Sequence, residues 1–88
     1  MQLTMKPSSV KSKTVVIIED QTAIRELVSE MLQAKGKFRV VGTSADGSAG
    51  VEMALRLKPD ILILDILLPD ISGVEVLHRL RNTIPGLS

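Results

Sequence analysis

The sequence predicts an α/β fold, a small open parallel sheet whose strands alternate with helices. Three observations predict it. Val15-Val16-Ile17-Ile18 and Ile61-Leu62-Ile63-Leu64 are uninterrupted aliphatic runs, the pattern of strands buried on both faces. Around them, apolar residues recur at helical spacing and stop at glycine or proline. Each run also ends in acid, Glu19-Asp20 after the first and Asp65 after the second.

The elements follow in order. Residues 1–13 are polar, contain Pro7-Ser8-Ser9 and show no periodicity, so they read as a disordered leader ahead of one domain over residues 14–88. Thr14 opens the first strand. Ile24, Leu27, Val28, Met31 and Leu32 then mark a helix, with Gly36 as its stop. Phe38 to Thr43 is a shorter strand interrupted by Arg39, which suits a sheet edge. Asp46-Gly47 signals a turn. Ser48 to Lys58 forms a second helix with Val51, Ala54, Leu55 and Leu57 as packing positions, ended by Pro59. Met31 and Met53 read as core fillers. After the run at 61–64, Ser72-Gly73-Val74-Glu75 fits a capping box. A third helix is expected from about Gly73 to Arg81, burying Val76, Leu77 and Leu80, before Asn82-Thr83-Ile84-Pro85-Gly86 breaks it.

Composition excludes several function classes. Net charge is +1, yet Lys6, Lys11 and Lys13 stand in a stretch without acids, so residues 14–88 hold eight bases against ten acids. A slightly acidic body whose single aromatic is Phe38 is a poor nucleic-acid binder. The absence of cysteine removes disulfides and thiolate metal sites. No apolar run reaches bilayer length and none resembles a signal peptide, so a cytoplasmic location is expected.

Alternation of strand and helix implies right-handed crossovers, and ligands in such sheets bind beyond the carboxyl ends of the strands. If the first and third strands are neighbours, Glu19, Asp20 and Asp65 converge there. Three carboxylates in one crevice repel one another, and a hard cation such as Mg²⁺ relieves the repulsion. A carboxylate beside that ion can also attack phosphorus. Each acid has a plainer reading as well. Asp20 equally suits a helix cap, Glu19 a solvent-facing position, and Asp65 an ordinary loop. Asp46 reads as a turn residue, Asp70 as a loop acid near the third helix, and His78 as a surface residue.

The chain resembles the receiver domain of bacterial two-component response regulators, particularly those with a helix-turn-helix output. The matching residues are 15–20, Val40-Val41-Gly42, Ala45-Asp46-Gly47 and Lys58-Pro59-Asp60 through Asp65, with Pro69 and Gly73 following in the loop. The resemblance implies a flavodoxin-like (CheY-like) sheet in the order 2-1-3, incomplete at three strands with three helices. It implies Asp65 as the phosphoacceptor for a sensor histidine kinase. Glu19, Asp20, Asp65 and the main-chain carbonyl of Leu67 would hold Mg²⁺, with Glu19 standing where the family usually has Asp. Gln21, Thr22 and Arg25, on or beside the first helix, are the implied kinase contacts.

The family's fourth and fifth strands end in a Thr or Ser and a Lys that engage the phosphoryl group. Thr83 and Ser88 precede the expected fourth strand, and no Lys follows Lys58, so neither role carries over. The sequence therefore reads as a receiver cut before its fourth strand, a phosphoacceptor rather than an enzyme in its own right. The competing reading is a non-catalytic interaction stub that self-associates through the open edge of the third strand. A haloacid-dehalogenase-like phosphohydrolase needs a second Asp where Leu67 stands, and a dinucleotide fold needs glycine after the first strand.

Overall fold

The computed structural model describes residues 12–65, 68–81, 83–84 and 86–87. Of the expected leader, residues 1–11 lie outside this set, as does Leu67. The elements alternate as β1 (Lys13–Ile18), α1 (Thr22–Ala34), β2 (Phe38–Ser44), α2 (Gly47–Leu57), β3 (Ile61–Leu64) and α3 (Gly73–Arg81). The strands are parallel in the order β2-β1-β3, as the resemblance implies. β1 starts at Lys13, before the aliphatic run, because the Lys13 amide donates to the Lys37 carbonyl at 3.0 Å.

Both aliphatic runs are strands, but they are buried differently. Val15, Val16, Ile17 and Ile18 are fully buried in the central strand. Ile61 to Leu64 are only half-buried, since among the described residues β3 pairs with β1 on one side and with no strand on the other. An unbroken apolar run marks a strand without telling how many neighbours it has.

The crossover from β1 to β2 runs one way along the sheet and that from β2 to β3 runs back, which puts α1 on one face and α2 with α3 on the other. The α2–α3 face carries the core, where Val16 and Ile18 meet Val51, Ala54, Val76, Leu80 and Ile84. α2 faces this core with Gly47, Gly50, Val51 and Ala54, a stripe at 3–4-residue spacing. Leu55 and Leu57 flank that stripe and are each 37% exposed, more than expected of packing positions, although Leu57 lies close to Gly42 on β2. On α3, Val76 and Leu80 are buried as expected, whereas Leu77 remains 41% exposed and faces a cavity of about 490 Å³ with Leu62, Leu64, Val74, Arg81 and Leu87. On α1 no residue is buried. Met31 is 56% exposed and Ile24 and Leu27 share its stripe, so Met31 is not a core filler. Met53 does pack against the core.

Close approach explains Gly50. A Cβ at Gly50 would collide with Ile18, lying 2.7 Å from its Cγ1. Overpacking of this kind costs about 1–3 kcal/mol. Gly50→Ala should therefore lower the urea unfolding midpoint despite the better helix propensity of alanine.

Sharp local chemistry ends the helices. α1 stops at Lys35, with Gly36 following at φ 75°. α2 stops at Lys58, which takes the left-handed conformation (φ 47°) while its amide donates to Ala54 O at 2.8 Å. The residue before a proline is pushed out of the right-handed helical region, so Pro59 acts one position ahead of itself. At the amino-terminal edge of the sheet, Asp60 accepts from the Thr14 amide at 2.8 Å and hydroxyl at 3.1 Å. This clasps β1 to the start of β3.

Candidate functional site

The site is built where β1 and β3 end side by side. Ile18 pairs with Leu64 in register, and the Asp65 amide then donates to the Ile18 carbonyl at 2.9 Å. On the other flank the Glu19 amide donates to Ser44 O at 2.9 Å. Ladder bonds thus continue one residue past each strand and bring Glu19, Asp20 and Asp65 to the same edge. One carboxylate oxygen from each residue lies within 4.8 Å of the others. Glu19 and Asp65 are half-buried and Asp20 is exposed.

The local chain explains how the acid pair is held. Arg25 reaches back from α1, its Nη1 donating to Glu19 O at 2.8 Å and to Asp20 O at 3.5 Å, and its Nη2 to Thr22 Oγ1 at 3.2 Å. The Gln21 amide donates to Glu19 Oε2 at 3.0 Å. Gln21 itself is the N-cap of α1 and makes no side-chain cap bond, so the capping role open to Asp20 is not taken. Gln21, Thr22 and Arg25 therefore brace the acid pair from the first turn of α1.

The donor set suits a hard divalent cation. All three side chains offer carboxylate oxygen, the ligand type magnesium prefers. Oxygens sharing an octahedral ion at about 2.1 Å lie roughly 3 to 4 Å apart. The observed spacing, up to 4.8 Å, is somewhat wider than this.

The loop after Asp65 is anchored more firmly than its sequence suggests. Pro69 is exposed, while Gly73 is buried at the start of α3. Ser72 Oγ accepts from the Glu75 amide at 3.1 Å, one half of the expected capping box. The other half is not made, because the Glu75 carboxylate takes Arg79 Nε at 3.0 Å instead. Asp46 is more than a turn residue, being the N-cap of α2, with Oδ1 accepting from Ala49 N at 2.8 Å. Asp70 belongs to α2 rather than α3. It accepts from Gly47 N at 2.7 Å and Ser48 N at 2.8 Å. His78 is exposed on α3.

Hydrogen bonds from Ser48 and Gly47 hold the Asp70 carboxyl well below the usual carboxylate range. A pKa depressed by folding contributes stability above the unfolded value, about 3.9, and that contribution fades as pH falls through the folded value. Asp70→Asn should accordingly flatten the acid limb of the stability profile below about pH 4, as read from urea midpoints across a pH series, and leave the shape above pH 6 unchanged.

Comparison with known proteins is consistent with this geometry. Residues 15–88 match the family described as the response regulator receiver domain. A probable transcriptional regulatory protein, TcrX of Mycobacterium tuberculosis, is 42% identical over 74 residues, covering 84% of this chain and 31% of that protein. A protein-glutamate methylesterase/protein-glutamine glutaminase of Nocardioides is 36% identical over 69 residues, covering 78% and 19%. Among solved structures, the signal receiver domain of the putative response regulator NarL from M. tuberculosis superposes with a TM-score of 0.83 at 30% identity, covering 88% of this chain and 62% of that one. The response regulator domain of Thermotoga maritima CheB gives 0.81 at 29% identity, covering 85% and 56%. The chain thus spans a fifth to a third of these curated relatives and just over half of these solved receiver domains.

Proposed function

The chain belongs to the response regulator receiver domain family, and from that premise we propose that Asp65 accepts a phosphoryl group from a sensor histidine kinase, with Mg²⁺ held by Glu19, Asp20 and Asp65. The observation that carries the reading is the set of three carboxylate oxygens lying within 4.8 Å of one another at the carboxyl ends of β1 and β3. The main-chain carbonyl of Leu67, outside the described residues, is the further ligand that family likeness supplies. A bound magnesium ion contributes positive charge against the phosphoryl oxygens.

The chain's own residues do the rest. A carboxylate oxygen of Asp65 forms the new O–P bond as the donor's N–P bond breaks, and the departing imidazole keeps the electron pair. β3 and the Asp65–Ile18 hydrogen bond fix the direction of attack. Arg25 keeps the backbone of residues 19 and 20 in place. The Thr or Ser and the Lys that the family brings from its fourth and fifth strands are not within this chain, and each missing donor to a developing oxyanion lowers the rate by about 10²–10³. Assayed as these 88 residues alone, the segment is therefore expected to modify itself slowly and only with magnesium. No helix among the described residues is long and apolar enough to cross a membrane, and a cytoplasmic location fits this role. Nucleic-acid binding is not assigned to this segment and would belong to a helix-turn-helix output domain.

Incubation with a small acyl phosphate and Mg²⁺ should add the mass of one phosphoryl group to the intact chain. Chelation should prevent it and Asp65→Asn should abolish it. Mass addition that survives Asp65→Asn would refute the assignment.

A second reading, an interaction stub, is favoured by the outer edge of β3 beside exposed Val74 and Leu77. An edge of this kind invites pairing with another strand. Sedimentation over a concentration series decides between them, since a folded monomer at the highest concentration excludes self-association through that edge.

A further inference from the structure

We propose that Asp70 is a positioning residue for the Asp65 loop. Its carboxylate latches the far end of that loop to the N-terminus of α2 and so helps hold Asp65 in place at the metal site. The inference rests on the phosphoacceptor reading above.

The first turn of α2 presents amide donors that have no partner within the helix. Asp46 supplies one acceptor, to Ala49. The Gly47 and Ser48 amides instead go to Oδ1 and Oδ2 of Asp70, at 2.7 and 2.8 Å, from a residue more than twenty positions away. A carboxylate is the best occupant of this place, since it accepts both bonds and complements the positive end of the helix dipole.

A second observation is independent of those bonds. A Cβ at Gly47 would collide with Ile71 and come 3.2 Å from Asp70 Oδ1. The loop therefore lies directly on the helix backbone, and glycine is what permits the approach. Ile71 also packs against the α2–α3 core. Asp65 is fixed at the other end by its bond to Ile18. Only residues 66–69 lie between the two anchors, and Pro69 removes one of their torsional freedoms. Asp70 is the polar anchor at the far end, beside the apolar packing of Leu68 and Ile71 against the core.

The test is magnesium affinity by calorimetry on the 88-residue chain, read beside amide hydrogen exchange at Gly47 and Ser48. Asp70→Ala should weaken magnesium binding about tenfold or more, the usual effect of losing a residue that orients metal ligands, and speed exchange at both amides. Asp70→Asn, which keeps one acceptor, should fall between. Asp46→Ala removes the other cap of α2 without touching the loop, and it should lower stability while leaving magnesium affinity unchanged. If Asp70→Ala does not fold, Ser48→Pro carries the test, deleting one latch donor within the first helical turn, where proline is tolerated.

Wild-type affinity in Asp70→Ala or, where that variant does not fold, in Ser48→Pro overturns the latch while leaving the phosphoacceptor reading intact. So does an equal loss in Asp46→Ala, which would reduce the effect to helix stability. A wild-type chain that takes up no magnesium overturns both proposals, and the Asp65→Asn mass experiment then shows whether phosphoryl transfer survives without the ion.

Discussion

Replacing Ile18 with alanine is expected to destabilise the chain by about 4 kcal/mol, near the upper end of the range for a buried Ile→Ala change. Ile18 is fully buried in the central strand, and three of its side-chain carbons lie close to where a Cβ would stand on Gly50. A void opened there faces a residue with no side chain to collapse into it. Chains of this size are stabilised by roughly 0.05–0.15 kcal/mol per residue, so the loss removes a large part of the total. Urea unfolding should show a much lower midpoint or no folded baseline.

The same contact gives a sharper test. With Ile18 already cut back, a methyl at position 50 has nothing to collide with, so adding Gly50→Ala should cost nothing or recover up to about 1 kcal/mol from helix propensity. An undiminished penalty in the double variant would show that Ile18 does not limit the space at position 50.

The second large effect concerns the ion. At magnesium a hundredfold above its dissociation constant, the chain should gain about 2.7 kcal/mol of stability. The double variant Glu19→Gln, Asp20→Asn should gain none. In chelator the order should reverse, because unit charges a few ångströms apart repel by about 1 kcal/mol even in water, and the variant has lost that repulsion. Paired urea titrations with magnesium and with chelator read both halves. Equal magnesium stabilisation of variant and wild type would place the ion elsewhere.

Much of the scaffold and of the acid cluster is legible in the residues themselves. Aliphatic runs located β1 and β3, helical spacing located α1 to α3, and the strand-ending acids marked the edge where Glu19, Asp20 and Asp65 meet. What failed was the degree of cover that distant neighbours give. Ile61 to Leu64 has the pattern of a doubly buried strand yet lies half-buried at the end of the sheet. Leu77, Leu55 and Met31 look like core residues by type and spacing, but the amount of cover over each face is not written in its own element.

Polar roles divide in the same way. The cap made by Asp46 had a local signal, an acid directly before a helical pattern, which its reading as a simple turn passed over. Asp70 had none, because its partners at Gly47 and Ser48 are remote in sequence and only the fold brings them together. Arg25 was singled out as a kinase contact, and its bonds to Glu19 and Asp20 bring it into the support of the acid pair.

The central place of β1 also dictates an order of events during synthesis. β1 leaves the ribosome first, and β2 can dock on it while residues 61–64 are still being made. Asp65 joins the acid pair only after β3 has closed a loop of more than forty residues, from Val15 to Ile61, a slow search by the measure of contact separation. The three carboxylates thus come together only with the last zippering of the sheet, and a nascent chain that stops short of β3 carries Glu19 and Asp20 without Asp65.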